Sequence, residues 1–163
     1  MVSYSFPIVL VLIINAFPSQ MPCRTMRTPA DIAVLFVDDE VEILKALKSC
    51  FRKESYVKMF AESSEQALIL LDKSTGNVPV SVIVSDINMP GINGLELIKR
   101  VKSRFPDIIC MLVSGTCDID DVVNDFDIGH VFTMLTKPVS VPVFKKTIND
   151  AIDCYLNANT EIL

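Results

Sequence analysis

Five short apolar runs recur along the chain, separated by polar turns and longer segments. They begin at Ala33, Val57, Val80, Ile108 and Val131, and their β-branched residues are typical of strands buried on both faces of a sheet. After each of the first three runs, and again after Pro142, apolar residues recur at helical spacing and predict amphipathic helices. Between the fourth and fifth runs, residues 118–129 are acidic and have poor helix propensity.

Two of the predicted helices carry further detail in their sequences. Ser63 with Gln66 predicts a capping box at the start of the second helix. The 3.6-residue period gives the last helix an apolar face, which we predict to comprise Val143, Phe144, Ile148, Ala151, Ile152 and Tyr155. These features predict where the second helix begins and which side of the last helix is buried.

Strands and helices that alternate in this way predict an α/β domain. Five strand–helix units in series form a parallel sheet covered by helices on both sides, and right-handed crossovers restrict its topology. The strand order 2-1-3-4-5 places the first and third strands side by side at the topological switch point. The residues that follow these two strands are therefore expected in one crevice at the carboxyl edge of the sheet.

The first thirty residues differ from the rest of the chain. Their apolar run FPIVLVLIINAF is shorter than the roughly 20 residues that a membrane-spanning helix needs. We expect residues 1–30 to lie outside the fold, residues 31–157 to form the domain, and residues 158–163 to be a tail. No membrane segment is expected within residues 31–163. Translation that starts at Met21 or Met26 would explain the run, and so would a weak membrane or export segment.

Size and charge narrow the class of protein. A chain of 163 residues that is 50% hydrophobic suffices for one domain with a core. Its net charge of −5 argues against nonspecific nucleic-acid binding, which needs clustered Lys and Arg, so we expect no DNA binding and an output through protein contacts.

The single His130 disfavours a zinc cluster. The odd set of cysteines predicts reduced, mostly buried thiols: Cys23, Cys50, Cys110, Cys117 and Cys154.

Acidic residues follow the first and third predicted strands. Asp38 and Asp39 come directly after the first strand, and Asp86 ends the third. Carboxylates about 4 Å apart repel by roughly 1 kcal/mol in water and by more where water is excluded, so a cation is needed to balance them. All-oxygen ligation with open positions favours Mg²⁺ over zinc or calcium. An Asp oxygen beside such a metal can attack phosphorus and form an aspartyl phosphate.

Two further polar residues end strands at the same edge of the predicted sheet. Ser114 follows the fourth apolar run, and Lys137 follows the fifth. A hydroxyl and an ammonium group are suited to bind the remaining oxygens of a phosphoryl group. The sequence therefore predicts a phosphate-accepting site with Mg²⁺ at this edge.

Four motifs in order make the chain resemble the receiver domains of two-component response regulators. They are VDDE at residues 37–40, SDINMPGINGLEL at 85–97, LVSG at 112–115 and LTKP at 135–138. The resemblance runs from about Ala33 to Tyr155 and implies a flavodoxin-like, doubly wound (βα)5 sandwich. It also implies a cytoplasmic, single-domain signalling protein with no enzyme activity beyond its own phosphorylation and dephosphorylation.

The resemblance implies a role for each acidic residue of the predicted site. Asp86 would be the phosphoacceptor and a metal ligand. Asp39 would bind Mg²⁺ directly, and Asp38 would assist through water. The backbone carbonyl of Asn88 would complete the protein ligands of the metal.

The same resemblance implies a switch at the ends of the fourth and fifth strands. Ser114 would be drawn toward the phosphoryl group, Lys137 would pair with it, and the peptide bond to Pro138 would be cis. Gly115 would leave the site open to a donor or to water. Receivers usually carry Tyr or Phe three residues before the lysine, whereas this chain has Met134. A switch by aromatic rotamer is therefore in doubt, although a flexible Met could follow Ser114 inward.

The implied partners are a histidine kinase or phosphotransfer protein as donor and a downstream protein as target. Phosphorylation would shift the surface formed by residues 118–129, the fifth strand and the last helix between two packings. Because the chain ends at Leu163, soon after the last helix, we expect output by contact or by phosphate transfer. The acidic segment favours a basic partner through Asp118, Asp120, Asp121, Asp125 and Asp127.

Other interpretations of the same residues stay open. Asp38 and Asp39 could simply cap the first helix, and Ser114 could merely end a strand. A Mg²⁺-dependent, phosphatase-like enzyme also uses an Asp nucleophile, although such enzymes normally place a D-x-D on the first strand. A phosphate-independent scaffold would bind its partner equally well with Asp86→Asn.

Overall fold

The computed structural model describes residues 28–74, 78–115 and 130–159. Within these ranges a short 3-10 helix, Pro29–Asp31, precedes the sheet. The strands are β1 (Ala33–Val37), β2 (Val57–Ala61), β3 (Val80–Asp86), β4 (Ile109–Ser114) and β5 (Thr133–Thr136). The helices are α1 (Val41–Cys50), α2 (Ser64–Lys73), α3 (Gly94–Arg104) and α4 (Val141–Ala158).

The five strands form one parallel sheet in the order β2-β1-β3-β4-β5. The predicted strand order and doubly wound α/β fold are therefore confirmed. Val37 at the end of β1 pairs with Ser85 on β3, and Asp86 pairs with Val113 on β4. This register brings the carboxyl ends of the three central strands to one edge of the sheet.

The central strands are buried on both faces, as their unbroken apolar runs predict. All five residues of β1 and all seven of β3 are buried. Leu35 and Ile83 face the core that α2 and α3 cover. Phe36 and Val84 face the opposite core, which α1 and α4 cover. The sheet is thus a rigid central layer that fixes the residues at its carboxyl edge.

Aromatic rings hold α1 and α4 against β1. The ring of Phe36 on β1 lies 5.2 Å from that of Phe51 at the end of α1. Phe144 on α4 packs edge-on against Phe51, with the ring centroids 5.6 Å apart. Such pairs stabilise a core beyond the area that they bury. They anchor the strand that leads directly into Asp38 and Asp39.

The last helix departs from its predicted apolar face at one residue. Phe144, Ile148, Ala151, Ile152 and Tyr155 are buried as predicted, but Val143 is 51% exposed, so that part of the prediction is wrong. Val143 precedes Phe144 by one position, a rotation of about 100° that turns it away from the sheet.

The start of α2 confirms half of the predicted capping box. The Ser63 hydroxyl accepts a hydrogen bond from the Gln66 N–H at 3.2 Å. The reciprocal bond is displaced by one residue, because the Gln66 side chain accepts from the Glu62 N–H at 2.6 Å rather than from that of Ser63. The strand predicted from Val131 also begins later, at Thr133.

The cysteines that the structure describes are free thiols, but they are not mostly buried. Cys110 on β4 is buried, Cys50 is half-buried and Cys154 on α4 is exposed. The expected burial is therefore wrong for Cys154, which lies on the solvent side of α4. Cys23 and Cys117 lie outside the described residues.

Two predictions concern segments that the structure does not describe. Residues 1–27, which hold the apolar N-terminal run, lie outside the described residues, and so does the acidic segment 118–129. Among the helices of the described ranges, none combines the length and apolar character needed to cross a membrane.

Candidate functional site

Three carboxylates meet at the carboxyl edge of the sheet. Asp38 and Asp39 directly follow β1, and Asp86 is the last residue of β3, the neighbouring strand. One oxygen from each carboxylate lies within 4.8 Å of the others. The structure therefore brings together the three acidic residues that the sequence predicts for one crevice.

The three carboxylates differ in exposure and in their local hydrogen bonds. Asp38 and Asp86 are 5% and 7% exposed, whereas Asp39 faces solvent. Asp38 accepts a hydrogen bond from the Glu40 N–H at 2.9 Å, and Asp86 accepts one from the Ile87 N–H at 3.0 Å. These backbone donors fix the two buried side chains in place.

Burial raises the pKa of Asp86 above its usual value, because a charged carboxylate loses solvation there. The ammonium group of Lys137 opposes this shift in pKa, the charge of Asp38 adds to it, and the Ile87 N–H lowers it again. The net shift is upward. An ionised Asp86 is therefore a destabilised group that gains from a nearby cation.

Lys137, which follows β5, reaches both buried carboxylates. Its Nζ lies 3.2 Å from Oδ1 of Asp86 and 3.4 Å from Oδ2 of Asp38. Burial alone would lower the pKa of Lys137, but attraction by Asp38 and Asp86 outweighs burial and raises it. Lys137 thus stays charged between two carboxylates, close to the predicted phosphoacceptor.

The backbone of Lys137 also links the last two strands. Its N–H donates to the Ser114 carbonyl at 2.7 Å, and its peptide bond to Pro138 is cis, as the resemblance implied. Ser114 ends β4, is fully buried, and donates its hydroxyl to the Gly115 carbonyl at 2.6 Å. Ser114 and Lys137 therefore lie side by side at the edge that holds the carboxylates.

The loop between β3 and α3 carries Asn88. Ile87 and Met89 are buried and hold the loop against the core, while Asn88 between them is exposed. The Gly94 N–H donates to the Ile87 carbonyl at 2.9 Å, and the Asn93 side chain caps α3 by accepting from the Glu96 N–H. The loop is closed at its base, next to Asp86.

An apolar cavity of about 380 Å³ lies beside the site, between α1 and α4. Its walls include Phe36, Leu47 and Phe144, and it extends to Asp86 and Lys137. Charges next to such an apolar wall interact more strongly than charges in bulk water. The carboxylates and Lys137 therefore lie where solvent screening is reduced.

The donor set fits a small divalent cation. Three carboxylates converge here and one ammonium group reaches two of them, so an excess of negative charge is left. Oxygen ligands with one exposed member suit Mg²⁺. The capping alternative for Asp38 accounts for its bond to the Glu40 N–H but not for its approach to Lys137. The arrangement can hold a cation and present a carboxylate oxygen to an incoming phosphoryl group.

Two residues near the loop were missed by the sequence analysis as parts of the site. The Ser64 hydroxyl donates to the Ile92 carbonyl at 2.7 Å, and Gly94 packs against the backbone of Asp86. The signal for Gly94 was present as the second glycine of a turn after the strand. Ser64 carries no comparable signal, because its contact spans 28 residues of sequence.

Comparison with known proteins gives one family match and several relatives. The sequence model of a family described as "Response regulator receiver domain" matches residues 34–149. The hydrogenase transcriptional regulatory protein HoxA of Cupriavidus necator is 31% identical over 120 residues, which is 74% of this chain and 24% of that protein. The DNA-binding transcriptional regulator NtrC of Proteus hauseri is 30% identical over 122 residues, 75% of this chain and 25% of that protein. The chain spans about a quarter of the length of these curated relatives.

Solved structures share the same architecture. A crystal structure named as adenylate cyclase from Rhodopirellula baltica superposes with a TM-score of 0.72 at 29% identity, covering 79% of this chain and 93% of that one. A receiver domain protein from Clostridium thermocellum gives a TM-score of 0.67 at 25% identity, covering 75% of this chain and 94% of that one. Both matches span nearly all of the solved chain, so the likeness is to a whole domain.

Proposed function

Because the chain belongs to the response regulator receiver domain family of two-component systems, we propose that it is a phosphorylation-dependent switch in which Asp86 accepts the phosphoryl group. One observation carries the proposal. The buried carboxylate of Asp86 lies 3.2 Å from Lys137 Nζ and within 4.8 Å of two further carboxylates. An aspartate that served only as a surface turn residue would be exposed and would not lie among these charged groups.

In the proposed reaction an Asp86 carboxylate oxygen attacks the phosphorus of a donor. The new bond joins that oxygen to phosphorus while the bond from phosphorus to the donor breaks, and the donor leaves with its electron pair. With a histidine kinase or a phosphotransfer protein as donor, the bond that breaks is the phosphorus–nitrogen bond of phosphohistidine. Asp86 is held for this attack by the Ile87 N–H.

The metal ligands would be Asp39 and Asp86 directly, Asp38 through water, and the backbone carbonyl of Asn88. The position of these residues at one edge of the sheet supports that assignment. Bound Mg²⁺ would neutralise charge on the incoming phosphoryl oxygens. The exposed Asp39 side chain supplies the solvent-facing side of the ligand set.

Lys137 and Ser114 would respond to the new charge. Lys137 already lies between Asp38 and Asp86, so its ammonium group can pair with a phosphoryl oxygen after a small movement. Ser114 would exchange its bond to the Gly115 carbonyl for a bond to the phosphoryl group. The half-buried Met134 on β5 would follow Ser114 inward, in place of an aromatic residue.

The output would pass through contact with another protein in the cytoplasm. The proposed surface includes β5 and α4. The aspartates of residues 118–129, a segment outside the described residues, favour a partner with basic residues. DNA binding is named for the NtrC relative. We do not assign it to this domain, because a net charge of −5 opposes contact with phosphates.

Phosphorylation with a small donor tests the proposal. The purified chain is incubated with acetyl phosphate and Mg²⁺, and intact mass spectrometry should show the addition of one phosphoryl group that hydroxylamine removes. Asp86→Asn should abolish the addition, while Asp153→Asn, which changes an exposed aspartate on α4, should leave it intact. Addition that persists in Asp86→Asn would overturn the assignment.

The same samples separate the switch from its alternatives. A phosphatase-like enzyme would release inorganic phosphate from a phosphate ester over many turnovers, and Asp86→Ala would abolish that release. A scaffold independent of phosphate would show equal partner affinity with and without acetyl phosphate. Stoichiometric labelling with no ester turnover is the result that we expect.

A further inference from the structure

We propose that Ser64 is a positioning residue for the metal site, because it ties the first turn of α2 to the loop that carries Asn88. This inference rests on the proposed function, since the loop is assigned a metal ligand there. The Ser64 hydroxyl donates to the Ile92 carbonyl at 2.7 Å. The two residues belong to different elements, and the bond therefore fixes the loop relative to α2.

The burial of Ser64 makes this hydrogen bond strong and specific. Ser64 is 0% exposed, although a serine in the first turn of a helix is usually at the surface. Removal of the hydroxyl takes this donor from the Ile92 carbonyl and leaves a void at a fully buried position. Ser63, the neighbouring residue, already caps the helix, and capping therefore does not explain why residue 64 is also a serine.

The rest of the loop shows what the Ser64 bond adds. The base of the loop is closed by the bond from the Gly94 N–H to the Ile87 carbonyl, next to Asp86. Ile87 and Met89 are anchored in the core by burial. Ile92, four residues after Asn88, is half-buried, and Ser64 holds its carbonyl. Asn88 therefore lies in the stretch between two fixed points of the loop, Ile87 and Ile92.

A metal ligand supplied by a loop carbonyl depends on the loop for its direction. A side-chain ligand can adjust by rotation about its own bonds, but a backbone carbonyl moves only when the peptide plane moves. Residues outside the ligand set that fix such groups commonly change metal affinity when they are mutated. The hydrogen bond from Ser64 fixes the loop and thereby the direction of the Asn88 carbonyl, so its loss is expected to lower the affinity for the metal.

Calorimetric titration of the full chain with MgCl₂ tests the inference without phosphorylation. Ser64→Ala should weaken Mg²⁺ binding by about three- to tenfold, the range expected for one hydrogen bond. Ser64→Thr keeps the hydroxyl and should stay within about twofold of the wild type. Ser103→Ala is the matched control, because that exposed hydroxyl bonds only within its own helix, to the Arg100 carbonyl at 2.9 Å, and it should leave Mg²⁺ affinity unchanged.

Circular dichroism melting of each variant separates positioning from stability. If Ser64→Ala fails to fold at the titration temperature, Ser64→Cys replaces the hydroxyl by a thiol of similar size that is only a weak donor, and it should also lose affinity. Lower melting temperature with unchanged Mg²⁺ affinity would overturn the inference and leave the proposed function standing. A wild-type chain that binds no Mg²⁺ would overturn the metal site and this inference together.

Discussion

The backbone of Gly94 lies directly against the carbonyl group of Asp86. A Cβ placed on Gly94 would overlap the Asp86 carbonyl oxygen and would lie 2.9 Å from its carbonyl carbon. Real Cβ atoms do not approach backbone so closely, and here the obstacle is the end of a buried strand that has little freedom to move. The start of α3 is thus packed onto the proposed phosphoacceptor.

Gly94→Ala is therefore expected to destabilise the fold by about 1–3 kcal/mol, the usual cost of an added methyl group in a tightly packed place. The same overlap should displace Asp86 and slow its phosphorylation by acetyl phosphate. Urea denaturation measures the first effect and intact mass against time measures the second. An alanine variant with wild-type midpoint and rate would show that the contact is loose.

Asp86→Asn is expected to stabilise the protein at neutral pH when EDTA removes divalent metal. The pKa of Asp86 is raised in the folded state, mainly by burial, so the folded state binds this proton more tightly than the unfolded state does. That contribution to stability is complete below the unfolded pKa of 3.8 and is lost as the pH rises through the folded pKa. Asparagine has no charge to bury and avoids the loss.

Thermal unfolding of wild type and Asp86→Asn across a pH series measures this difference. The gap between the two melting temperatures should open as the pH rises above about 4 and should close again at lower pH. Saturating Mg²⁺ should narrow the gap at neutral pH, because the cation binds the ionised carboxylates. A variant that is less stable than wild type at neutral pH in EDTA would contradict the expectation.

The fold followed from the sequence because its determinants are local. The run AVLFV at Ala33–Val37 and the run that starts at Val80 predicted fully buried strands, and both are buried throughout. The rule of right-handed crossovers then restricted the possible strand orders. Asp38 and Asp86 were identified for the same reason, since polar residues at the carboxyl ends of buried parallel strands line the crevice at that edge of the sheet.

The finer parts of the site depend on tertiary contacts that no local pattern encodes. Lys137 was expected at this edge, but its simultaneous contact with Asp38 and Asp86 was not. Lys137 and Asp38 are 99 positions apart in the sequence. The bond from Ser64 to Ile92 likewise depends on how α2 packs against a loop from another unit. The predicted burial of Val143 was wrong for a different reason, which is local. Helical periodicity does not locate the edge of an apolar face to within one residue.

Cys110 is expected to resist alkylation while Cys154 reacts. Burial raises the pKa of the Cys110 thiol to about 12, against an opposing effect of the Lys102 charge, so almost no thiolate forms at pH 8. Cys154 is exposed. Peptide mapping after iodoacetamide treatment should find Cys154 modified and Cys110 intact, and both should be modified in urea. Rapid labelling of Cys110 under native conditions would show that β4 opens readily.

Lys137→Met is expected to strengthen Mg²⁺ binding while it impairs the response to phosphate. The Lys137 ammonium group lies 3.2 Å from Asp86 and 3.4 Å from Asp38, and it therefore competes with a cation for the same carboxylates. Two unit charges about 4 Å apart interact by about 1 kcal/mol in water and by more where screening is reduced. Loss of the ammonium group should therefore raise Mg²⁺ affinity by about fivefold or more.

Calorimetric titration with MgCl₂ measures this change, with Lys146→Met as the matched control. Lys146 lies on α4 and pairs with Asp150 in solvent, so its loss should leave Mg²⁺ affinity unchanged. With the phosphate analogue beryllofluoride the order of affinities should reverse, and wild type should bind the analogue more tightly than Lys137→Met. The variant lacks the ammonium group that pairs with the bound anion. Weaker Mg²⁺ binding by Lys137→Met than by wild type would mean that Lys137 orients the carboxylates rather than competing for them.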